Sequence, residues 1–181
     1  MSNAIWVWLD LEMTGLDVKQ DKILEVSCIL TTPELHAYTN ESFSMVVHQD
    51  LDVLESMSDW CIEQHGNSGL TQSCLDSDVS LEMVEGQIIK YIRSHTLPTD
   101  SLFLAGNSIH TDRSFIKEHM KGFESMLHYR MIDVTSVAMV CDSIGVSLYK
   151  KESPHRALDD IKMSIEELKH YIKQLNGRGV E

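Results

Sequence analysis

Apolar and polar positions along the chain predict strands first, then helices interleaved with short strands. Residues 5–9 (Ile-Trp-Val-Trp-Leu) form an apolar run that reads as a buried strand. Asp10 and Glu12 stand at its exit, and Thr14-Gly15 breaks it. Lys22–Thr31 sets Ile23, Val26, Ile29 and Leu30 among β-compatible neighbours and predicts a second strand. Glu25 within that strand is read as a solvent-facing residue in preference to a partner of other acids. A third strand region is expected over Leu35–Asn40 and Ser42–His48, with turns at Val18–Asp21 and Pro33. Residues 1–50 therefore read as an antiparallel meander.

Leu51 to Cys74 reads as irregular helix, interrupted at Gly66-Asn67 and Gly69. Leu81, Val84, Ile88 and Ile92 recur at helical spacing in Ser80–His95, with Ser80 as its cap. Leu102–Ala105 is a short buried strand, and Thr111 is the expected cap of a helix through Phe115, Ile116 and Met120. Tyr129–Val134 predicts another strand, followed by a helix over Thr135–Ile144 that Gly145 ends. After a polar loop over Tyr149–Pro154, Arg156–Leu175 is the last helix. Its Leu158, Ile161, Ile165, Leu168, Ile172 and Leu175 form one apolar stripe. This order of elements predicts an α/β fold with a mixed sheet.

Composition narrows the function classes. With 181 residues, 43% hydrophobic and 24% charged, the chain reads as one globular domain over residues 1–181. No apolar run approaches a bilayer span, and no signal or Arg-rich transit segment is read ahead of Ile5. The expected compartment is the cytoplasm, with a mitochondrial pool left open. Cys28, Cys61, Cys74 and Cys141 are far apart in sequence and read as reduced thiols, not as a zinc site. The net charge of −13 argues against a basic surface for long nucleic acid, but leaves room for a substrate with one or two phosphates.

The candidate chemistry is acidic. Residues two apart on a strand share a face, so Asp10 and Glu12 present their oxygens side by side. Hard oxygen ligands of this kind suit magnesium or manganese, although an edge strand with both acids in water has the same pattern. Asp112 opens a helix, where an acid also complements the dipole. Asp160 lies beside the core stripe of the last helix, where an acid wants a partner or a metal. His155, five residues before it, is either a surface histidine or a base with a pKa near neutrality. Four carboxylates can hold two divalent ions of the kind that clamp in-line phosphoryl displacement.

These motifs resemble a known family. Asp10-x-Glu12 in WLDLEMTGL, Asp112 in AGNSIHTDRSFI and His155-x4-Asp160 in SPHRALDDI resemble the histidine-containing branch of the DEDD 3′–5′ exonucleases. The blocks 57–71, 105–113, 128–136 and 153–168 bring the resemblance closest to the oligoribonuclease family, across nearly the whole chain. The resemblance implies a ribonuclease H-like mixed sheet flanked by helices. It implies Asp10, Glu12, Asp112 and Asp160 as ligands of two Mg2+ or Mn2+ ions, and His155 as general base. It implies Leu16 wedged between the bases of a dinucleotide, with Trp60 in the base pocket. Ser108, His65, Tyr129 and Arg130 would cap the 5′ phosphate, Tyr129 and Arg130 reaching across a homodimer. Without the family, each of Leu16, Trp60 and Tyr129 has a core-packing alternative, and at least two of them read as core residues. The stretch between Gly145 and His155 is shorter than the family leads one to expect. The implied activity is 3′–5′ hydrolysis of very short RNA to 5′-mononucleotides. A broader 3′–5′ exonuclease on longer ends, and a silent dimeric binding module, are the alternatives.

Overall fold

A strand that is apolar on both faces needs cover on both sides, and that places it in the middle of a sheet. In the computed structural model, which describes residues 3–150 and 156–177, this strand is β1 (Ala4–Met13). It is joined by β2 (Ile23–Thr31), β3 (Phe43–Val46), β4 (Ser101–Gly106) and β5 (Leu127–Asp133). The order across the sheet is β3-β2-β1-β4-β5. β2 and β3 pair antiparallel, whereas β1, β4 and β5 run parallel, so the sheet is mixed as expected. The helices are α1 (Leu51–Glu55), α2 (Asp59–Asn67), α3 (Leu70–Asp76), α4 (Leu81–His95), α5 (His110–His119), α6 (Lys121–Glu124), α7 (Val134–Ser143) and α8 (Ala157–Gly177). No described helix is long and apolar enough to cross a membrane.

The two-residue period of β1 sets the architecture. Ile5, Val7, Leu9 and Leu11 pack with Val84, Ile88 and Ile92 of α4 and with Phe115 and Ile116 of α5. Trp6 and Trp8 face the other way and pack with Ile161, Ile165, Leu168 and Tyr171 of α8. The buried Trp8 indole donates to Thr31 Oγ1 at 2.9 Å, which satisfies its one polar atom. Asp10 and Glu12 continue the tryptophan face, so they point toward α8. Leu24, with Leu54, Met57, Cys61, Leu70 and Cys74, anchors α1–α3 as a third, smaller cluster.

Several expectations shift. β1 runs past Leu9 to Met13, so both acids lie within the strand instead of at its exit; Thr14-Gly15 ends it as expected, and the register irregularity falls between Glu12 and Met13. The third strand covers only Phe43–Val46, because Leu35 adopts φ 63° and leaves one isolated bridge, Thr31 to Ala37, in its place. α5 begins at His110, which puts Thr111 inside the first turn instead of at the cap. The stripe of α8 turns: Tyr171 is buried, whereas Ile172 and Leu175 are partly exposed. Ser80 does cap α4, accepting from Met83 N at 3.2 Å. Gly145 at φ 71° closes α7, and the Asp133 side chain caps its other end.

Gly106 is where β4 comes close to β1. A Cβ there would lie 2.9 Å from the Leu9 carbonyl oxygen, a backbone atom that cannot swing aside. Gly106→Ala should therefore destabilise the fold by about 1–3 kcal/mol, the usual cost of forcing atoms into a packed interior. A lowered urea midpoint with an unchanged slope is the expected result, and an unaltered midpoint would show that the strands can part without loss.

Candidate active site

The site grows from the end of β1. The parallel partner β4 stops pairing at Trp8, so β1 continues beyond it with backbone groups to satisfy. Asp112, buried in the first turn of α5, meets one of them: its Oδ1 accepts Leu11 N at 3.0 Å. Leu11 is the residue between Asp10 and Glu12, so this bond fixes the backbone on which both acids stand. From the other face, α8 brings Asp160. Ligand oxygens of Asp10, Glu12 and Asp160 all lie within 4.8 Å of one another. Asp112 adjoins this trio without being one of the three. His155, the expected base, lies outside the described residues.

Electrostatics marks the same place. Burial first, then the charges of Asp160, Glu25 and Asp112, pushes the Glu12 carboxyl up from 4.5 to about 8; Arg156 pulls the other way. Burial likewise pushes Asp112 up to about 7, against the bond from Leu11 N. Such a carboxylate group is short of positive charge, and its all-oxygen donor set fits magnesium or manganese better than a thiophilic metal. Among the described residues, the four buried cysteines are free thiols and contribute nothing here.

The structure corrects the reading of Glu25. It is 2% exposed, not solvent-facing, and lies opposite Glu12 in the β1–β2 register. Its carboxylate accepts Arg156 Nε at 3.1 Å, Arg156 Nη2 at 2.8 Å and Ala157 N at 3.2 Å. The signal that could have found it is the lone acid between Leu24 and Val26 in a strand with two buried faces.

A cleft of about 660 Å³ opens beside Glu12, lined among others by Leu16, Met57, Trp60, Cys61 and His65. Leu16 is 75% exposed and Trp60 60%, so neither belongs to the core. The turn that presents Leu16 is braced by Asp21, which accepts Thr14 Oγ1 and Asp17 N, both at 2.8 Å. Gly15 sits against that carboxylate, leaving no room for a side chain. His65 is buried, its Nε2 3.0 Å from Met13 O and its Nδ1 3.9 Å from Glu12 Oε2, so it sits between the acids and the cleft.

Ser108, Tyr129 and Arg130 do not line this cleft. Ser108 holds a left-handed φ of 45°, unusual for a residue with a side chain, and donates its N–H to Thr135 Oγ1 at 3.0 Å and Asp133 Oδ1 at 3.2 Å. Tyr129, 70% exposed, and Arg130 stand on the edge strand β5, the guanidinium carbon 5.3 Å from the ring centre. The core reading of Leu16, Trp60 and Tyr129 is thus overturned for all three.

The raised carboxyls make the metal-free protein sensitive to pH. Unfolded, Glu12 titrates near 4.5; folded, near 8. Between those values the folded state binds a proton that the unfolded chain lacks, so stability falls as pH rises. Asp112 acts in the same sense. In EDTA, the melting midpoint should drop from pH 5 to pH 8, and Mn2+ should remove most of the drop at the upper end. A level or rising midpoint across that window would contradict the assignment.

Comparison with known proteins shows the family. Residues 7–168 match the RNase_T model, described as an exonuclease family. The mouse mitochondrial oligoribonuclease is 44% identical over 169 residues, covering 91% of this chain and 70% of that protein. The oligoribonuclease of Francisella tularensis subsp. novicida is 42% identical over 170 residues, covering 93% of this chain and 94% of its own. Among solved structures, the zinc-bound E. coli ExoI–ssDNA complex superposes with a TM-score of 0.70 at 14% identity. That match covers 98% of this chain but 42% of ExoI, and shows a shared ribonuclease H-like exonuclease fold. The chain belongs to the RNase_T exonuclease family and, within it, stands with the oligoribonucleases.

Proposed function

We propose that this protein hydrolyses very short oligoribonucleotides, dinucleotides above all, from the 3′ end to 5′-mononucleotides. The observation that carries this is the convergence of Asp10, Glu12 and Asp160 beside a cleft whose exposed Leu16 and Trp60 offer apolar faces to bases. Asp10, Glu12, Asp112 and Asp160 would hold two divalent cations, Mg2+ or Mn2+. Bound there, such ions supply positive charge to the attacking and leaving oxygens of an in-line displacement. Leu16 and Trp60 orient the bases, which fixes the scissile phosphate against the acids. His155 takes the proton from the attacking water, a task suited to a side chain that titrates near neutrality. The net charge of −13 disfavours long RNA, which carries many phosphates, over a dinucleotide, which carries few.

The second protomer enters through the 5′ phosphate. β5 is a sheet edge, and Tyr129, Met131, Met139, Val140 and Ile144 expose apolar area on it, on α7 and at the cap that follows α7. Edge strands and apolar patches of this kind are covered in stable proteins. We take the cover to be a second copy of this chain. It would carry Tyr129 and Arg130 to the 5′ phosphate, where Ser108 and His65 complete the cap. We place its action in the cytoplasm, with a mitochondrial pool left open.

Three outcomes test this reading. His155→Ala should lower kcat by about 10²–10⁴-fold and leave dinucleotide affinity near wild type. If binding collapses while bound substrate still turns over normally, His155 is a ligand and not the base. The cap should make a 5′-phosphorylated dinucleotide bind more tightly than its unphosphorylated form or a longer RNA, and Arg130→Ala should erase that preference. Heterodimers of Arg130→Ala and Asp10→Ala subunits should regain about one working site per dimer, since the Arg130 variant keeps its acids and borrows its partner's arginine. Verified heterodimers without turnover would refute the shared site.

A further inference from the structure

Glu25 and Arg156 are not explained by the reading above. A charge buried to the extent of Glu25 is costly, and a second acid directly opposite it, Glu12, adds repulsion. Apolar residues would fill the same space at no such cost. What an ion pair does that an apolar pair cannot is fix direction. The planar guanidinium meets the carboxylate through two bonds of 3.1 and 2.8 Å, which sets its orientation as well as its distance. The same carboxylate takes Ala157 N at 3.2 Å, so β2 holds both the side chain and the backbone at the start of α8. The Arg156 carbonyl in turn accepts Asp160 N at 3.1 Å. Asp160 therefore stands one helical turn beyond a point anchored to β2, and β2 is in register with the strand that carries Asp10 and Glu12.

We propose that Glu25 and Arg156 are positioning residues for the metal site. Their ion pair sets the height and azimuth of α8 so that the Asp160 carboxylate meets those of Asp10 and Glu12. The proposal rests on reading these three acids as cation ligands.

Position and charge are separated by the choice of variants. The Glu25 charge acts on Glu12 more than the Arg156 charge does, so removing both would by charge alone also loosen cation binding, and would do so with or without Asp160. If the pair works by position, that loss disappears once Asp160 is gone. The measurement is Mn2+ affinity, read by electron paramagnetic resonance of free Mn2+, on the wild type, Asp160→Asn, Arg156→Lys and the double variant E25Q/R156M. The double variant removes both charges together, so net charge is unchanged and no buried charge is left unpaired. Gln at 25 still offers an acceptor to Ala157 N, and folding is verified by thermal melting in EDTA. Arg156→Lys keeps the charge and loses the two-bond fork.

We expect E25Q/R156M to weaken Mn2+ binding by about 10-fold or more, the range seen when groups that orient metal ligands are lost. Arg156→Lys should weaken it by less. Adding E25Q/R156M to Asp160→Asn should cost nothing further, because the pair acts through Asp160. Folded E25Q/R156M that binds Mn2+ as wild type does, or an equal loss in the Asp160→Asn background, would overturn the proposal. A wild type that binds no Mn2+, or an Asp160→Asn variant that binds it undiminished, would instead remove the metal reading beneath it.

Discussion

Carboxylates whose oxygens lie within 4.8 Å of one another repel, and this fold is arranged to hold three of them there. The arrangement begins in β1, where two tryptophans and then two acids share one face. The tryptophans dock α8 against the sheet. The acids, the next two positions on that face, meet what α8 presents in its first turn, and that is Asp160. From the opposite face, Asp112 bonds to Leu11 N and locks the segment between the two strand acids. Strain from like charges is thus held by a tryptophan-based core on one side and a buried carboxylate on the other. Burial first, and then the neighbouring acids, raise the Glu12 carboxyl, so neither its lost hydration nor the repulsion is compensated in the protein by itself.

The surroundings divide the site by chemistry. On one side lie the acids, His65 and the Glu25–Arg156 pair, all polar and largely buried. On the other lies an open cleft with exposed Leu16 and Trp60 on rigid supports. A braced turn that holds an apolar side chain in solvent stabilises little by itself, so its value lies in what it contacts. Base faces are flat and apolar, and stacking on them tolerates any sequence. The acidic half addresses phosphate only when cations stand between, which links the two halves to one substrate class.

Much of this was legible in the sequence, and the parts that were not have physical causes. The period-two pattern of Trp6, Trp8, Asp10 and Glu12 is local, so the face they share could be read directly. The helices over Leu81–His95 and Ala157–Gly177 are long and strongly periodic, and were equally plain. Leu35–Asn40 looked like strand because its residue types suit one, but Leu35 turns left-handed and ends the pairing. The sequence suggests an exposed Glu25, because a lone acid in a strand usually faces water. Only its ion pair with a residue 131 positions away explains its burial. Leu16, Trp60 and Tyr129 posed the opposite problem: apolar residues carry the same signal in a core and in a binding surface. Nor does spacing alone bring Asp160 to Asp10; the motif resemblance supplied that contact, and the docking of α8 on β1 accounts for it.

The central claim is that this acidic site is a cation-dependent hydrolase of the shortest RNAs. The most direct measurement follows a 5′-phosphorylated diribonucleotide carrying a label on its 3′ nucleoside, with purified protein in EDTA and again after Mn2+ is restored. The account predicts no cleavage in EDTA, full recovery with Mn2+, and two 5′-mononucleotides as the products. Cleavage that persists in EDTA, or products that carry a 3′ phosphate, would contradict it.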